Sequence, residues 1–527
     1  MTQLIPSIFN DVIGPVMRGP SSSHSAASVR IGRLCHDLCG GVPDRVVIQF
    51  DTLGSLATTH ESQGTNMGLF GGLLGWEADD PRLPDSPDVL RATGTTIIIT
   101  KPELGDPHPN TYRLEVCRGD ECHDVVALST GGGIIEVIKI DGAPVRLFGD
   151  YVTTIVHAGT NPPESVTAVA DMIESGDFGS ADHVATSNQL VIALSQAPLD
   201  ISVLATTPGV TQARTLRPVL PVMSRPSLKV PFHHASEMKP LERAGSETTD
   251  LTEGLLSDWA IAYECARGGI SRLKVLAQAD EILSIMRTGV ETGLAGTSYK
   301  DRILGWQSGR FAKLDADGAL LGGGLLNQMI AYVTALMEAK SAMEVIVAAP
   351  TAGACATFPG ALLATIDSVE ANTEAASRAL LAGGLIGVFV TNRSSFAAEV
   401  GGCQAETGAG AAMAAAALTE LGGGTAAQSL AAASLSLQNV LGLICDPVGN
   451  RVEAPCLGRN VSGAANALSC ANMALAGYDH LIPFDEVLDA HRQVSELMAR
   501  ELRCTGLGGL SITPTAQRIE LGLTQRS

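Results

Sequence analysis

The chain has 527 residues, 45% hydrophobic and 17% charged, with a net charge of -20. Such a length exceeds one compact core and predicts two or three domains, and the apolar content excludes a disordered chain. The acidic balance, without any lysine or arginine cluster, excludes a phosphate-backbone partner, so no nucleic acid is expected.

The opening MTQLIPSIFNDVIGP shows no basic stretch followed by an apolar run and does not read as an export signal. The longest apolar run, Ala379 to Val390, is too short to cross a bilayer and reads as a buried helix. The expected location is therefore cytoplasmic, with no membrane partner. There the 11 cysteines are expected to stay reduced, as core residues or as metal or catalytic groups.

Residues 1–150 alternate β-rich runs such as RVVIQF (45–50) and TTIIIT (95–100) with short helical stretches, which predicts an α/β domain. Residues 151–222 read as strand, helix near Pro163, strand, helix, Pro-Gly turn and strand. This resembles a small ACT-like βαβ module, and an uncommitted βαβ spacer is the alternative. Residues 223–250, rich in Pro, Ser, His and charge, predict a linker. Beyond residue 251 the sequence turns to Ala, Gly, Leu and Met, as in GAGAAMAAAALTELGGG, and predicts a tightly packed all-α domain to residue 527. The whole is an α+β multidomain chain.

Three cysteines stand at Gly or Pro breaks in helical sequence: Cys403 in EVGGCQAETGAG, and Cys445 and Cys456 in CDPVGNRVEAPC. A buried small hydrophobe is the plain reading of each taken singly. SSSH (Ser21, Ser22, Ser23, His24) after Gly19-Pro20 offers donors for a carboxylate, and equally a helix N-cap. Thr351, Ala352 and Gly353 form a turn able to aim N–H groups at an anion.

GGCQAETGAGAAMAAAAL, CDPVGNRVEAPCLGRN, AAPTAGACATFPGALLA and TGLGGLSITPT together resemble the α domain of iron–sulfur L-serine dehydratases. GPSSSHSAASVRIG, GSLATTHESQGTNMGLFGGLLG, HPN (108–110) and STGGGII are similar, in order and spacing, to that family's β domain, a substrate-binding α/β domain. The resemblance implies a [4Fe–4S] cluster held by Cys403, Cys445 and Cys456 with its fourth iron open. It implies substrate contacts from Ser21, Ser22, Ser23, His24, Gln63, Thr65, His108, Asn110, Thr351, Ala352 and Gly353, and a small amino acid as substrate.

Elimination of hydroxide from serine needs a Lewis acid at the hydroxyl and a base at Cα, and an incompletely ligated iron supplies the first. No pyridoxal phosphate is then required, Lys340 being the remaining Schiff-base alternative. Members of the family often pair, so a homodimer is among the expected partners.

The chain departs from the family where TGKGHGTD is usual. It reads THESQGTN, placing Gln63 at the position of the proposed base, so His60 or Glu61 must substitute. HSAAS and ACATFPG are further departures, which bring L-threonine and 3-hydroxyaspartate into view as substrates and a non-catalytic amino-acid sensor as the competing function. The final LGLTQRS offers no terminal thiolate to cap the open iron; Cys355 and Cys504 lie in motif regions from which a thiol could approach the cluster, with packing as their plain reading.

Overall fold

The computed structural model describes residues 5–159, 162–225, 228–242, 248–300 and 302–524. Met1–Leu4, Gln525–Ser527 and linker residues 226, 227 and 243–247 lie outside the described residues, and with them parts of the export-signal, tail and linker readings. The chain divides into two compact units, a helical unit of Met1–Ser22 with Lys229–Ser527 and a sheet unit of Ser23–Leu228.

In chain order the strands are β1 (Val16–Met17), β2 (Arg45–Gln49), β3 (Thr96–Thr100), β4 (Thr111–Arg118), β5 (Glu121–Gly131), β6 (Ile134–Ile140) and β7 (Ala143–Leu147). There follow β8 (Val152–Ala158), β9 (His183–Ser187), β10 (Leu190–Ser195), β11 (Val210–Leu216), β12 (Leu241–Glu242), β13 (Thr248–Thr249) and β14 (Ile346–Val347).

In the sheet unit, β3-β2-β4-β5-β6-β7 form one six-stranded sheet. Only β2 and β3 run parallel; the rest is an antiparallel meander, which corrects the α/β expectation for the first segment. The meander follows from its turns: Asp141 and Gly142 between β6 and β7 adopt φ of 50° and 74°, as a two-residue Asp-Gly hairpin requires. Phe50, Tyr112, Leu114, Ile135 and Val137 share the core with helices Ala27–Cys39 and Thr65–Leu73. These helices cross at glycines: a Cβ on Gly72 would lie 2.2 Å from the Val29 carbonyl and 2.8 Å from Gly32 Cα.

Antiparallel register sets Cys117 opposite Cys122, and the two form a disulfide. This corrects the expectation that all the cysteines are reduced.

The order β11-β8-β10-β9, all antiparallel, with helices Pro162–Glu174 and Ile201–Leu204, is a split β-α-β-β-α-β arrangement. It contains one strand more than the three read from the sequence for this segment. Strand β9 is short and half exposed, so it carries no apolar alternation to reveal it.

In the helical unit, the Asn372 side chain caps Thr373–Arg393, and a Thr425/Gln428 capping box starts Ala426–Gln438. The run Ala379 to Val390 lies within the first of these and is buried throughout. By length and composition Thr373–Arg393 passes for a membrane span, but 78% of its apolar window is inside the fold. The neighbouring helix Ala409–Leu421 is buried along its length, and small residues permit this: a Cβ on Gly383 would stand 2.9 Å from the Met413 carbonyl.

The N-terminal segment joins this unit although the sequence assigned residues 1–150 to one domain. Glu264 accepts from the Ser7 hydroxyl at 2.6 Å and the Ile8 amide at 2.9 Å, β1 pairs with β14, and Val12 fills the space left by Gly387.

Candidate functional site

Cys403 follows the short helix Ala398–Gly401, where Gly402 at φ 71° turns the chain before the next helix. The turn brings its thiol to that of Cys445, and with the Glu406 carboxylate the three donor atoms lie within 4.8 Å of one another. Cys445 is pinned by backbone bonds in both directions, its N–H to the Leu502 carbonyl at 2.8 Å and its carbonyl to the Cys504 N–H at 3.0 Å. Cys403, Cys445 and Cys504 form one buried cluster.

Cys456 opens the helix Cys456–Leu475 and lies outside the 4.8 Å group. It is near enough that, after burial itself, the charge of Cys403 is the main influence raising its thiol.

The electrostatics single out Cys403. A hydrogen bond from the Cys445 thiol and the Arg459 guanidinium hold its thiol below the ordinary value, although burial opposes this. Arg459 Nη1 stands 3.2 Å from Cys403 Sγ and 2.7 Å from the Ile444 carbonyl, while its other arm pairs with buried Asp446. Asp446 in turn accepts from the Leu510 N–H at 2.7 Å, tying CDPV to TGLGGLS. Hydrogen bonds to Cys403 and Cys504 push the Cys445 thiol well up, and burial raises Cys355 to about 11.

Burial and the neighbouring Cys403 raise Glu406 to about 8, so its carboxyl holds a proton near neutrality. Thr351 donates to Glu406 Oε1 at 2.8 Å, and a Cβ on Gly353 would fall 2.7 Å from the same carboxylate, so a larger residue there would displace it. The Ala352 N–H donates to Ser22 Oγ at 3.1 Å and the Ala354 N–H to Thr351 Oγ1 at 3.2 Å. Asn460 donates to the carbonyls of Gly353 and Cys456, both at 2.9 Å, and locks this turn to the Cys456 helix. Buried Lys340 bonds the Val452 carbonyl.

The other motif residues gather in the sheet unit. Ser21 and Ser22 end the helical unit, whereas Ser23 and His24 begin the sheet unit within the π-helical turn Ser22–Ala26. The π-helical turn runs without a break into the helix Ala27–Cys39, Ala26 itself being helical, so SSSH stands at the start of one continuous helical segment. His24 Nε2 donates to Thr59 Oγ1 at 2.9 Å, because the Thr59 hydroxyl is itself donated to the Ser55 carbonyl at 2.7 Å. Burial, and secondarily His60, lower His24 to about 3.

His60 Nδ1 meets Asn66 Oδ1 at 3.0 Å, which puts the proton on Nδ1 and leaves Nε2 with the lone pair. Burial lowers its pKa, and its ring packs 5.3 Å from that of Phe50. Glu61 is exposed, and Gln63 is buried with its carbonyl accepting from the Ser25 hydroxyl at 3.1 Å. HPN closes against this loop through the Ser55 N–H, which bonds the Pro109 carbonyl at 2.9 Å. His108 Nδ1 accepts from the Asn110 N–H at 3.2 Å and is lowered by burial. The Asn110 amide and the Thr65 hydroxyl are fully buried without hydrogen-bond partners among the described residues, an arrangement that costs stability unless a ligand satisfies it.

Residues 226–511 match the family described as serine dehydratase alpha chain. The chain belongs to that family. The probable L-serine dehydratase alpha chain of Bacillus subtilis (strain 168) is 39% identical over 274 residues, covering 52% of this chain and 91% of that protein. The L-serine dehydratase of Streptomyces coelicolor is 27% identical over 509 residues, 94% of this chain and 96% of its own length. The probable beta chain from the same Bacillus is 36% identical over 150 residues, 28% of this chain and 67% of that protein. As a serine dehydratase, the chain is an enzyme of the L-serine ammonia-lyase class, and its family is an iron–sulfur one.

In this serine dehydratase, Glu406, Arg459, Asp446 and Asn460 escaped the sequence reading. Spacing held a signal for two of them: Glu406 follows Cys403 by one helical turn, and Asn460 lies one turn beyond Cys456. Cys504 packs in the same buried cluster as Cys403 and Cys445.

Proposed function

We propose that the chain deaminates L-serine to pyruvate by eliminating water, using a [4Fe–4S] cluster held by Cys403, Cys445 and Cys456. The donor chemistry fits: buried thiols converge, and the Cys445 thiol and Arg459 shift Cys403 toward the thiolate, the state in which sulfur binds metal. When bound, such a cluster supplies an open iron that acts as Lewis acid toward the substrate hydroxyl. Glu406 holds a proton on its carboxyl near neutral pH and gives it to the departing hydroxyl.

Neutral His60 removes the α-proton at Nε2, with Asn66 fixing its tautomer, and exposed Glu61 is the weaker alternative. Asn110 and Thr65 offer unsatisfied donors and acceptors to the substrate's polar groups, while Gln63, Ser23, His24 and His108 line the same loops. Thr351 holds Glu406 by a hydrogen bond, and the Ala352 N–H of the same turn donates to Ser22, which with Ser21 and the Gly353 turn offers further contacts to substrate. The aminoacrylate released then tautomerises and hydrolyses to pyruvate and ammonia, without pyridoxal phosphate.

The split β-α-β-β-α-β arrangement of residues 152–216 supports an ACT-like regulatory role for that segment. The observation that carries the reading is the Cys403–Cys445 thiol pair under Arg459. Anaerobic turnover of L-serine, D-serine, L-threonine and 3-hydroxyaspartate tests it: 2-oxo acid from L-serine is expected, and no product from any of the four would end it.

A further inference from the structure

Two histidines and an aspartate meet in the sheet unit at residues the chemistry above does not use. His123 lies on β5, Asp141 heads the β6–β7 turn and His157 lies on β8. His123 Nδ1 is 2.9 Å and His157 Nε2 2.7 Å from the same atom, Asp141 Oδ2. The ring centroids are 5.3 Å apart, and the three donor atoms all fall within 4.8 Å of one another. We propose that these three residues form a binding site for a divalent transition-metal cation of the zinc class, clamping the six-stranded sheet to the four-stranded one.

The chemistry of the set favours such a cation. Two neutral imidazoles and one carboxylate are the borderline N and O donors that zinc and its neighbours take, and three protein ligands leave a position for water. Both imidazoles aim a nitrogen at one carboxylate oxygen, so one cation can replace both protons. The imidazole protons then shift to the outward nitrogens, and no net proton leaves.

Ligand atoms around tetrahedral zinc, at bond lengths of about 2.0–2.1 Å, lie about 3.3 Å apart, so each nitrogen–oxygen distance must open by only about 0.5 Å. Its supports are in place. Asp141 Oδ1 is held by the Asp124 N–H at 2.9 Å, which fixes the carboxylate between the two rings. His123 and His157 are buried, whereas Asp141 is partly exposed and gives a cation its route in.

Its position gives the site a consequence. β5 belongs to the six-stranded sheet and β8 is central in the four-stranded one, so a bound cation adds a buried tie between two sheets that are already bridged nearer the surface by Arg214 and Glu121.

The test is dialysis of the full-length chain, prepared anaerobically, against buffered micromolar zinc and, separately, cobalt, followed by elemental analysis and visible spectroscopy. One zinc per chain is expected, and it should survive Cys403→Ser. Affinity should fall at least about tenfold in His157→Asn and in Asp141→Asn. Cobalt should give d–d bands without sulfur-to-cobalt charge transfer. Absence of uptake by the unmodified chain would overturn the proposal, as would zinc retained in both His157→Asn and Asp141→Asn or lost on removing Cys403. Because wild-type uptake decides the first point, a variant that misfolds does not shield the proposal. The cysteine arm separates its failure from failure of the cluster reading.

Discussion

Arg459→Leu is the perturbation that most exposes how the thiol site is built. Arg459 is the cation that the geometry brings onto the Cys403 sulfur, and its partner Asp446 has a side chain only 2% exposed. Removing one member of a buried pair costs about 3–5 kcal/mol, because the other is left charged and desolvated. Asp446 keeps its bond from the Leu510 N–H, so the lower end, about 3 kcal/mol, is expected. The Cys403 thiol, losing its positive neighbour, should titrate at higher pH and alkylate more slowly near neutrality. Urea unfolding of the cluster-free chain, followed by a probe in the helical unit, reads the first quantity, and pH-dependent alkylation of Cys403 reads the second. Adding Asp446→Asn to the variant should recover part of the lost stability. A loss under about 1 kcal/mol, or an unmoved Cys403 titration, would refute the coupling of these groups.

Gly72→Ala should cost about 1–3 kcal/mol, since its Cβ would collide with the Val29 carbonyl and Gly32; Gly522→Ala, in an open helical position, should be neutral or stabilising by up to about 1 kcal/mol, and thermal melts compare the two. Asn372→Ala removes the bond its side chain accepts from the Ala375 N–H at 2.9 Å and should cost about 1 kcal/mol in the same melts. His60→Asn should lower kcat by about 100-fold or more with little change in KM. A base must be deprotonated, and burial lowers His60, so kcat/KM should fall only as pH drops through a value below the ordinary imidazole range; an acid limb at or above that range argues for another group.

Local patterns were legible in the sequence and long-range closure was not. The apolar run Ala379–Val390 declares its buried helix, and the Thr425/Gln428 box declares the next helix start, because both signals are local. Cys403 and Cys445 are 42 residues apart, and only the motifs around them hinted at a common site. Nothing local in residues 5–22 shows that they close against Glu264 and Gly387, since that depends on partners hundreds of residues away. Arg459 and Asp446 look in sequence like ordinary surface charges, and only packing shows them buried against a thiol. Cys117 and Cys122 illustrate the same limit: they are separated by five residues, and only the β4–β5 register sets them opposite each other.

The central claim is that these thiols carry a cluster with one iron available to substrate. It is tested most directly by iron and acid-labile sulfide analysis of the chain after anaerobic reconstitution, with spectra taken before and after adding L-serine. About four irons and four sulfides per chain are expected, with a spectrum that shifts on serine and is bleached in Cys403→Ser. A colourless chain without stoichiometric iron, still converting L-serine to pyruvate, would contradict the account.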